Sequence, residues 1–387
     1  MLFVLGGSST LFSQSQADSL SPRKPIDINI LFNYYEQDGI HSAVTGGLGT
    51  EELKDRAAKL VVHIPVDTAT SIDIQGSINQ YTSASTDNID SYVSSASIKD
   101  AHATLTFGYS KFILPNRLSW NAFVGGGIES DYISSSFGGG ITLSSKDQNQ
   151  ELSLGVQVFL DTWIVIFPEE LRVPGMVSLP TDKRRSYNFS ATFSQVINRK
   201  LQASLTSDLV YQTGLLSTPF HRVYFQDEEL PDIERLPSNR YKFPVGLRLN
   251  YFPLDFLVVR GYYRFYYDTY DILAHTFGLE IPLKPGPFTS FYPFGRYHYQ
   301  RAAKYFAPYG IHLREQEFYT SDYDLSGFQS LKVGMGIRYA PLYGLLRFKR
   351  GPGKVGMLKS VDIRGSYYWR SDGLRAWSVG MDLGWGG

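Results

Sequence analysis

Apolar and polar residues alternate with a period of two along most of the chain. In residues 377–385, WSVGMDLGW, the set Trp377, Val379, Met381, Leu383 and Trp385 falls on one side of an extended backbone, and Ser378, Gly380, Asp382 and Gly384 fall on the other. In 26–34, Ile26, Ile28, Ile30 and Phe32 oppose Asp27, Asn29 and Asn33, and in 72–80 Ile72, Ile74 and Ile78 oppose Asp73, Gln75, Ser77 and Asn79. The same alternation at 58–66, 101–109, 118–128, 132–143, 152–160, 187–195, 201–211, 243–251, 257–267, 273–283, 289–299, 331–339, 361–369 and 374–385 predicts sixteen strands in all. Each is close to the length that a tilted strand needs to cross a bilayer.

The connections alternate as well. Residues 67–70, 113–116, 197–200, 253–255 and 284–287 read as tight turns, whereas 36–55, 82–100, 162–185, 213–240 and 301–327 are long and polar. Short turns on one side and long loops on the other predict an all-β fold, a transmembrane antiparallel barrel of the cell outer membrane. An even strand number puts both chain ends on the periplasmic side. Residues 341–359, PLYGLLRFKRGPGKVGMLK, break the pattern and read as a long basic connection there.

A soluble β-sandwich also alternates, but three features oppose it. The outward rows are almost wholly apolar, the inward rows carry charge and glycine, and aromatic residues gather at strand ends. Tyr34, Tyr35, Tyr81, Tyr266, Tyr267 and Trp369 lie near the long loops, Phe112, Phe252 and Phe256 near the short turns, and Trp377 and Trp385 bracket the last strand. Tyr34, Tyr81, Tyr267, Trp369, Trp377 and Trp385 are therefore expected in two interfacial girdles facing outer-membrane lipid.

Composition narrows the reading. Lys+Arg and Asp+Glu are both 37, so no basic excess argues for nucleic acid. Cysteine is absent, which excludes disulfides, thiolate metal sites and c-type haem attachment. The start, MLFVLGGSSTLFSQSQ, reads as a signal peptide over 1–15 without the usual basic residues ahead of its apolar core. A short segment, 16–25, would lead into one barrel domain over 26–387, leaving little room for a plug.

With this register Lys59, His63, Asp73, Arg248, Arg260, Arg264, Glu280, Arg296, His298, Arg338, Asp362, Arg364 and Asp382 point into the lumen. Two readings stay open: a basic ladder guiding an anionic solute, or an ion-pair network filling the barrel. Enzyme signals are poor. His41 and Ser42 sit among carboxylates in 34–55, but adjacent residues do not easily form a nucleophile–base pair, and no catalytic residue or cofactor site is assigned. Glu36, Asp38, Asp87 and Asp90 are candidate oxygen ligands for a divalent cation, against the simpler reading of solvated acidic loops. The loop 301–327 carries Tyr305, Phe306, Tyr309, Phe318, Tyr319 and Tyr323, either as a contact surface or packed on itself.

The stretches FNYYEQDGIHSAVTGGLGTEELKD, YTSASTDNIDSYVSSASIKD and IFPEELR resemble a family of outer-membrane barrels from Bacteroidota and Proteobacteria known only as a domain of unknown function. The resemblance implies a barrel without an established activity. Genes for small lipoproteins, thioredoxin-like proteins and a flavin-attaching enzyme accompany such proteins, which implies lipoprotein or periplasmic partners in an envelope redox assembly. The functions to weigh are thus a charged-lumen pore for small polar solutes or a partner chain, a non-conducting scaffold subunit, and, more remotely, a membrane-embedded hydrolase.

Overall fold

The computed structural model describes residues 25–82, 99–172, 180–351 and 354–386. The expected leader lies outside the described residues. Nine strands come first: β1 (Asp27–Asp38), β2 (Leu53–Pro65), β3 (Thr70–Thr82), β4 (Lys99–Leu114), β5 (Leu118–Ile128), β6 (Tyr132–Ser144), β7 (Gln150–Ile164), β8 (Thr181–Asn198) and β9 (Leu201–Gly214). A two-residue ribbon, β10 (Arg222–Val223) with β11 (Asp232–Ile233), lies inside the next loop. Then follow β12 (Asn239–Leu254), β13 (Leu257–Asp268), β14 (Leu273–Glu280), β15 (Thr289–Gln300), β16 (Phe328–Tyr339), β17 (Leu346–Gly351), β18 (Lys354–Arg370) and β19 (Arg375–Gly386).

Each barrel strand pairs antiparallel with its neighbours, and β1 closes the ring on β19 from Asp27↔Gly386 to Asp38↔Arg375. Without β10, β11 and β17 the ring has sixteen strands. Closure supplies every strand with a partner on both sides, which hydrocarbon could not replace. Residues 341–359 differ from the expected plain connection. β17 folds back on the first part of β18, with Leu346 opposite Leu358. β18 is longer than a membrane span, and its free edge below the barrel is satisfied by that hairpin.

Cross-strand register settles the two faces, because directly opposed residues share a side. Phe32, Leu60, Ile78, Leu105, Val124, Phe137, Val156, Phe189, Leu205, Leu247, Phe277, Val333, Ile363 and Val379 are exposed on the outer face. Tyr34 and Trp377 touch there with ring centroids 5.0 Å apart, and Tyr187, Tyr211 and Tyr241 form a row on three adjacent strands. Tyr109 and Trp120, 5.5 Å apart, lie at the opposite end of the barrel, by the short turns. Trp369 and Tyr267 also face outward at the long-loop end. Trp385 shares the outer face, where Phe348 of β17 covers part of it at 5.8 Å.

Tyr81, expected in the outer girdle, lies on the opposite face. It stands opposite Asp55 and Asp100, points into the lumen and donates a hydrogen bond to Glu129. Its odd number puts it on the face of Asp73 and Ser77, not on that of Ile72, Ile74 and Ile78. Tyr35 and Tyr266 likewise turn inward, donating to Gln37 and Asp268. Proximity to a strand end marks a girdle residue only when the parity also agrees.

Several lumenal rings lie across glycines of the next strand. Phe294 is paired with Gly334, and Tyr292 with Gly336. A Cβ at either glycine would run into the ring. The absent side chain is what lets these rings lie flat on the wall.

Candidate functional site

The lumen has two unlike walls. On β3 to β9 the inward row carries many hydroxyls, which bond across strands: Ser77 to Thr104 at 2.6 Å, Thr142 to Ser153 at 3.0 Å and Ser194 to Ser204 at 3.0 Å. On β12 to β18 the inward row holds most of the lumenal arginines, among aromatic rings, glycines and a few acids. Register places Arg248 opposite Tyr262, Arg264 opposite Gly246, Arg296 opposite Lys332, and Arg338 opposite Asp362. Local alternation puts these residues on one face; ring closure collects them on one side of the channel.

The charged residues fall into two groups by their contacts. Glu280 accepts from Arg260 Nη1 at 2.7 Å and from Arg364 Nη2 at 3.0 Å, a triad linking β13, β14 and β18. His63 Nδ1 lies 2.7 Å from Asp73 Oδ1 on the opposite arc. By contrast, no described carboxylate lies within 4.0 Å of Arg248, Arg264, Arg296 or Arg338. Arg248 and Arg264 instead lie over the rings of Tyr262 and Tyr266, at 5.8 and 6.0 Å. Lys59 faces the lumen between Leu31 and Ser77, Asp382 between Leu31 and Asp362, and His298 bonds Thr276 at 2.8 Å. The sequence reading did not single out Lys332, although its parity with Arg338 on β16 carried the signal.

A layer of loops crosses the outer mouth. The loop 39–52 leaves the ring between β1 and β2, and the loop 215–238 leaves it between β9 and β12, eight strands away. The two nevertheless meet: Val44 packs on Phe220, and Arg222 Nη1 donates to the Val44 carbonyl at 2.7 Å. Contact between loops from opposite sides of a ring requires that they cross its opening. Arg222 also grips Glu170 of the loop after β7, with Nη2 to Oε2 at 2.9 Å and a second bond from Nε.

The loop 301–327 completes the layer. Arg235 and Tyr319 exchange backbone hydrogen bonds of 3.0 and 2.8 Å, and Tyr224 meets Tyr309 at 4.5 Å. His41 stacks on Tyr323 at 3.8 Å. Leu236, Tyr270, Ile272 and Ala303 form a small apolar core under Tyr305, Phe306 and Leu325. Most of the aromatic residues of this loop therefore pack within the cap. Gly46 and Gly47 take φ of 81° and 86°, and a Cβ at Gly47 would stand 2.7 Å from the Ser321 carbonyl oxygen, so this turn is built for glycine. At the edge, Arg370 binds Asp324 at 2.7 Å and Asp372 at 2.6 Å. Glu51, 4.0 Å from Arg370, is pushed up to about 8, chiefly by burial and then by Asp324, with Arg370 opposing.

His41 of the first loop and Glu36 of β1 are engaged in local contacts. His41 Nδ1 is engaged by the Gly47 carbonyl at 2.9 Å. Glu36 faces outward, bonded to Tyr34 Oη at 2.9 Å and paired with Lys54 at 3.1 Å, and Asp38 is exposed at the end of β1. Neither joins a cluster of ligating groups among the described residues. Asp87 and Asp90 lie outside the described residues.

A closed sixteen-strand barrel with an apolar exterior, two aromatic girdles and a charged interior is a transmembrane barrel of the outer membrane. The chain belongs to the family described as "Protein of unknown function (DUF3570)", whose model matches residues 4–341. No curated protein matches the chain. Similar solved structures include a mutant ferric enterobactin receptor of Pseudomonas aeruginosa, at 10% identity and TM-score 0.47 over 88% of this chain and 53% of that one. The siderophore receptor PirA of the same organism is 11% identical, with TM-score 0.43 over 94% and 81%. CdiB of Acinetobacter baumannii is 10% identical, with TM-score 0.47 over 92% and 60%. The chain thus spans about half the length of the enterobactin receptor.

Proposed function

We propose that this barrel is a passage for small anionic solutes across the outer membrane, constricted at its outer mouth by the loop cap. The observation that carries the reading is the set Arg248, Arg264, Arg296 and Arg338, which face the lumen with no described carboxylate within 4.0 Å. Barrels of this strand number enclose a water-filled channel. Charges lining it set which ions enter. Arginines bound into a packing network would be matched by acids, as Arg260 and Arg364 are by Glu280. The facing hydroxyl wall offers weak, exchangeable contacts, so a solute held by the basic wall can leave it.

The test is ion selectivity in planar bilayers. Purified protein under a salt gradient is expected to give discrete steps with a reversal potential on the anion side. Combining Arg264→Gln with Arg296→Gln should move that potential toward zero without loss of the heat-modifiable folded form. Cation preference, or a potential indifferent to both substitutions, would refute it.

A second reading is favoured by the cap itself. Loops that meet across the mouth suit a non-conducting scaffold that binds envelope partners, including lipoproteins. Silence from a folded barrel would select the scaffold, and isolation from native membranes would then identify what accompanies it. Catalysis forms no part of either reading.

A further inference from the structure

Two long loops meet at His221, Glu234 and Asp322, three residues that neither reading uses. His221 and Glu234 flank the β10–β11 ribbon and are held together by Glu234 N–H donating to the His221 carbonyl at 2.9 Å. Asp322 comes from the facing loop, at the N-cap of the short turn Tyr323–Leu325. His221 Nδ1 lies 3.9 Å from Glu234 Oε1 and 3.9 Å from Asp322 Oδ2, too far for a hydrogen bond to either. The imidazole side chain is only 8% exposed, and its Nδ1 is buried with no hydrogen-bond partner. A buried, unpartnered ring nitrogen aimed between two carboxylates is costly unless something binds there.

We propose that His221, Glu234 and Asp322 bind one divalent first-row transition-metal ion, of which Zn²⁺ is the natural probe, and that the ion joins the two loops of the cap. The ligand atoms all lie within 4.8 Å of one another. Two atoms that each sit about 2.0–2.2 Å from one ion can be no more than about 4.4 Å apart, and both separations from Nδ1 satisfy this. Imidazole nitrogen with two carboxylates suits zinc and its neighbours, whereas calcium and magnesium take oxygen ligands.

The surroundings fit such a site. Thr320 Oγ1 donates to Glu234 Oε1, and Thr218 N–H donates to Oε2 at 2.7 Å, which orients the carboxylate from behind. Asp322 Oδ1 accepts from Asp324 N–H at 2.9 Å, which leaves Oδ2 turned to the imidazole. The Asp322 side chain is 19% exposed, giving an entry path and room for water to complete the coordination. The site is independent of whether the lumen conducts.

The experiment uses the full chain, untagged, in detergent, after chelation and gel filtration. Calorimetric titration with Zn²⁺ is expected to show one tight equivalent. His221→Ala and Asp322→Asn should each weaken it by at least about a hundredfold, the upper end of what outer-shell changes cost. His63→Ala, in the distant pair with Asp73, should leave it unchanged. Co²⁺ bound in place of zinc should show ligand-field bands that His221→Ala removes. Should His221→Ala fail to fold on a heat-modifiability gel, Asp322→Asn, nearer the solvent, carries the test. Absence of a saturable equivalent, or an equivalent that survives both substitutions, would overturn the proposal.

Discussion

Arg222→Ala should loosen the cap without touching the barrel. The guanidinium joins three loops: its Nη1 donates to the Val44 carbonyl of the first loop at 2.7 Å, and its Nε and Nη2 hold Glu170 of the loop after β7. The side chain is 9% exposed and that of Glu170 is 32% exposed, so the pair is screened on one side only. Removing one partner of a fully buried pair typically costs about 3–5 kcal/mol, and a hydrogen bond to a charged group is worth about 1.5–3 kcal/mol. Discounting for the exposed carboxylate gives a cost of about 2–4 kcal/mol for cap closure. At 1.4 kcal/mol per decade, the population of opened cap should rise roughly 30- to 700-fold.

Amide hydrogen exchange reads this directly, because local opening sets the exchange of the amides it exposes. Gly46 and Gly47 N–H groups, bonded to the Ala43 and Ser42 carbonyls at 3.1 and 2.8 Å, should lose protection by that factor. Strand amides of β5 to β7, on a different part of the ring, should keep theirs. Unchanged protection at Gly46 and Gly47 would refute the view that Arg222 clamps the mouth. An equal loss in the strands would show that the loops and barrel open as one unit.

Two further outcomes follow from the same contacts. Glu51 has a folded-state pKa of about 8, above the ordinary carboxylate value, so folding takes up a proton in that window and cap stability falls as pH rises from about 4.5 through 8. Protease resistance of the 39–52 loop should therefore decline over that range in the native chain and stay level in Glu51→Gln; a decline in both would assign it elsewhere. Glu280→Gln leaves Arg260 and Arg364, each about half exposed, without their shared acid. The stability cost should be about 1 kcal/mol or less, while the bilayer reversal potential should move further to the anion side, and a shift the other way would contradict the anion-passage reading.

Alternation is a local property. A strand embedded between lipid and lumen must change environment at every residue, so WSVGMDLGW already carried its own two faces, with Asp382 inward and Trp377 outward. The same rule held the answer for Tyr81, whose parity with Asp73 and Ser77 outweighs its place near a loop. The sequence alone thus determined the sixteen strands, their faces and the side on which the long loops lie. It did not determine what those loops do. Their residues have no period to read, and His221, Glu234 and Asp322 come together only because strands on the ring carry their loops to one place. Likewise, nothing along the chain separates Arg260, which shares Glu280, from Arg264, which has no described carboxylate within 4.0 Å. That distinction belongs to the closed barrel, where cross-strand register and curvature decide which charges come within reach of one another.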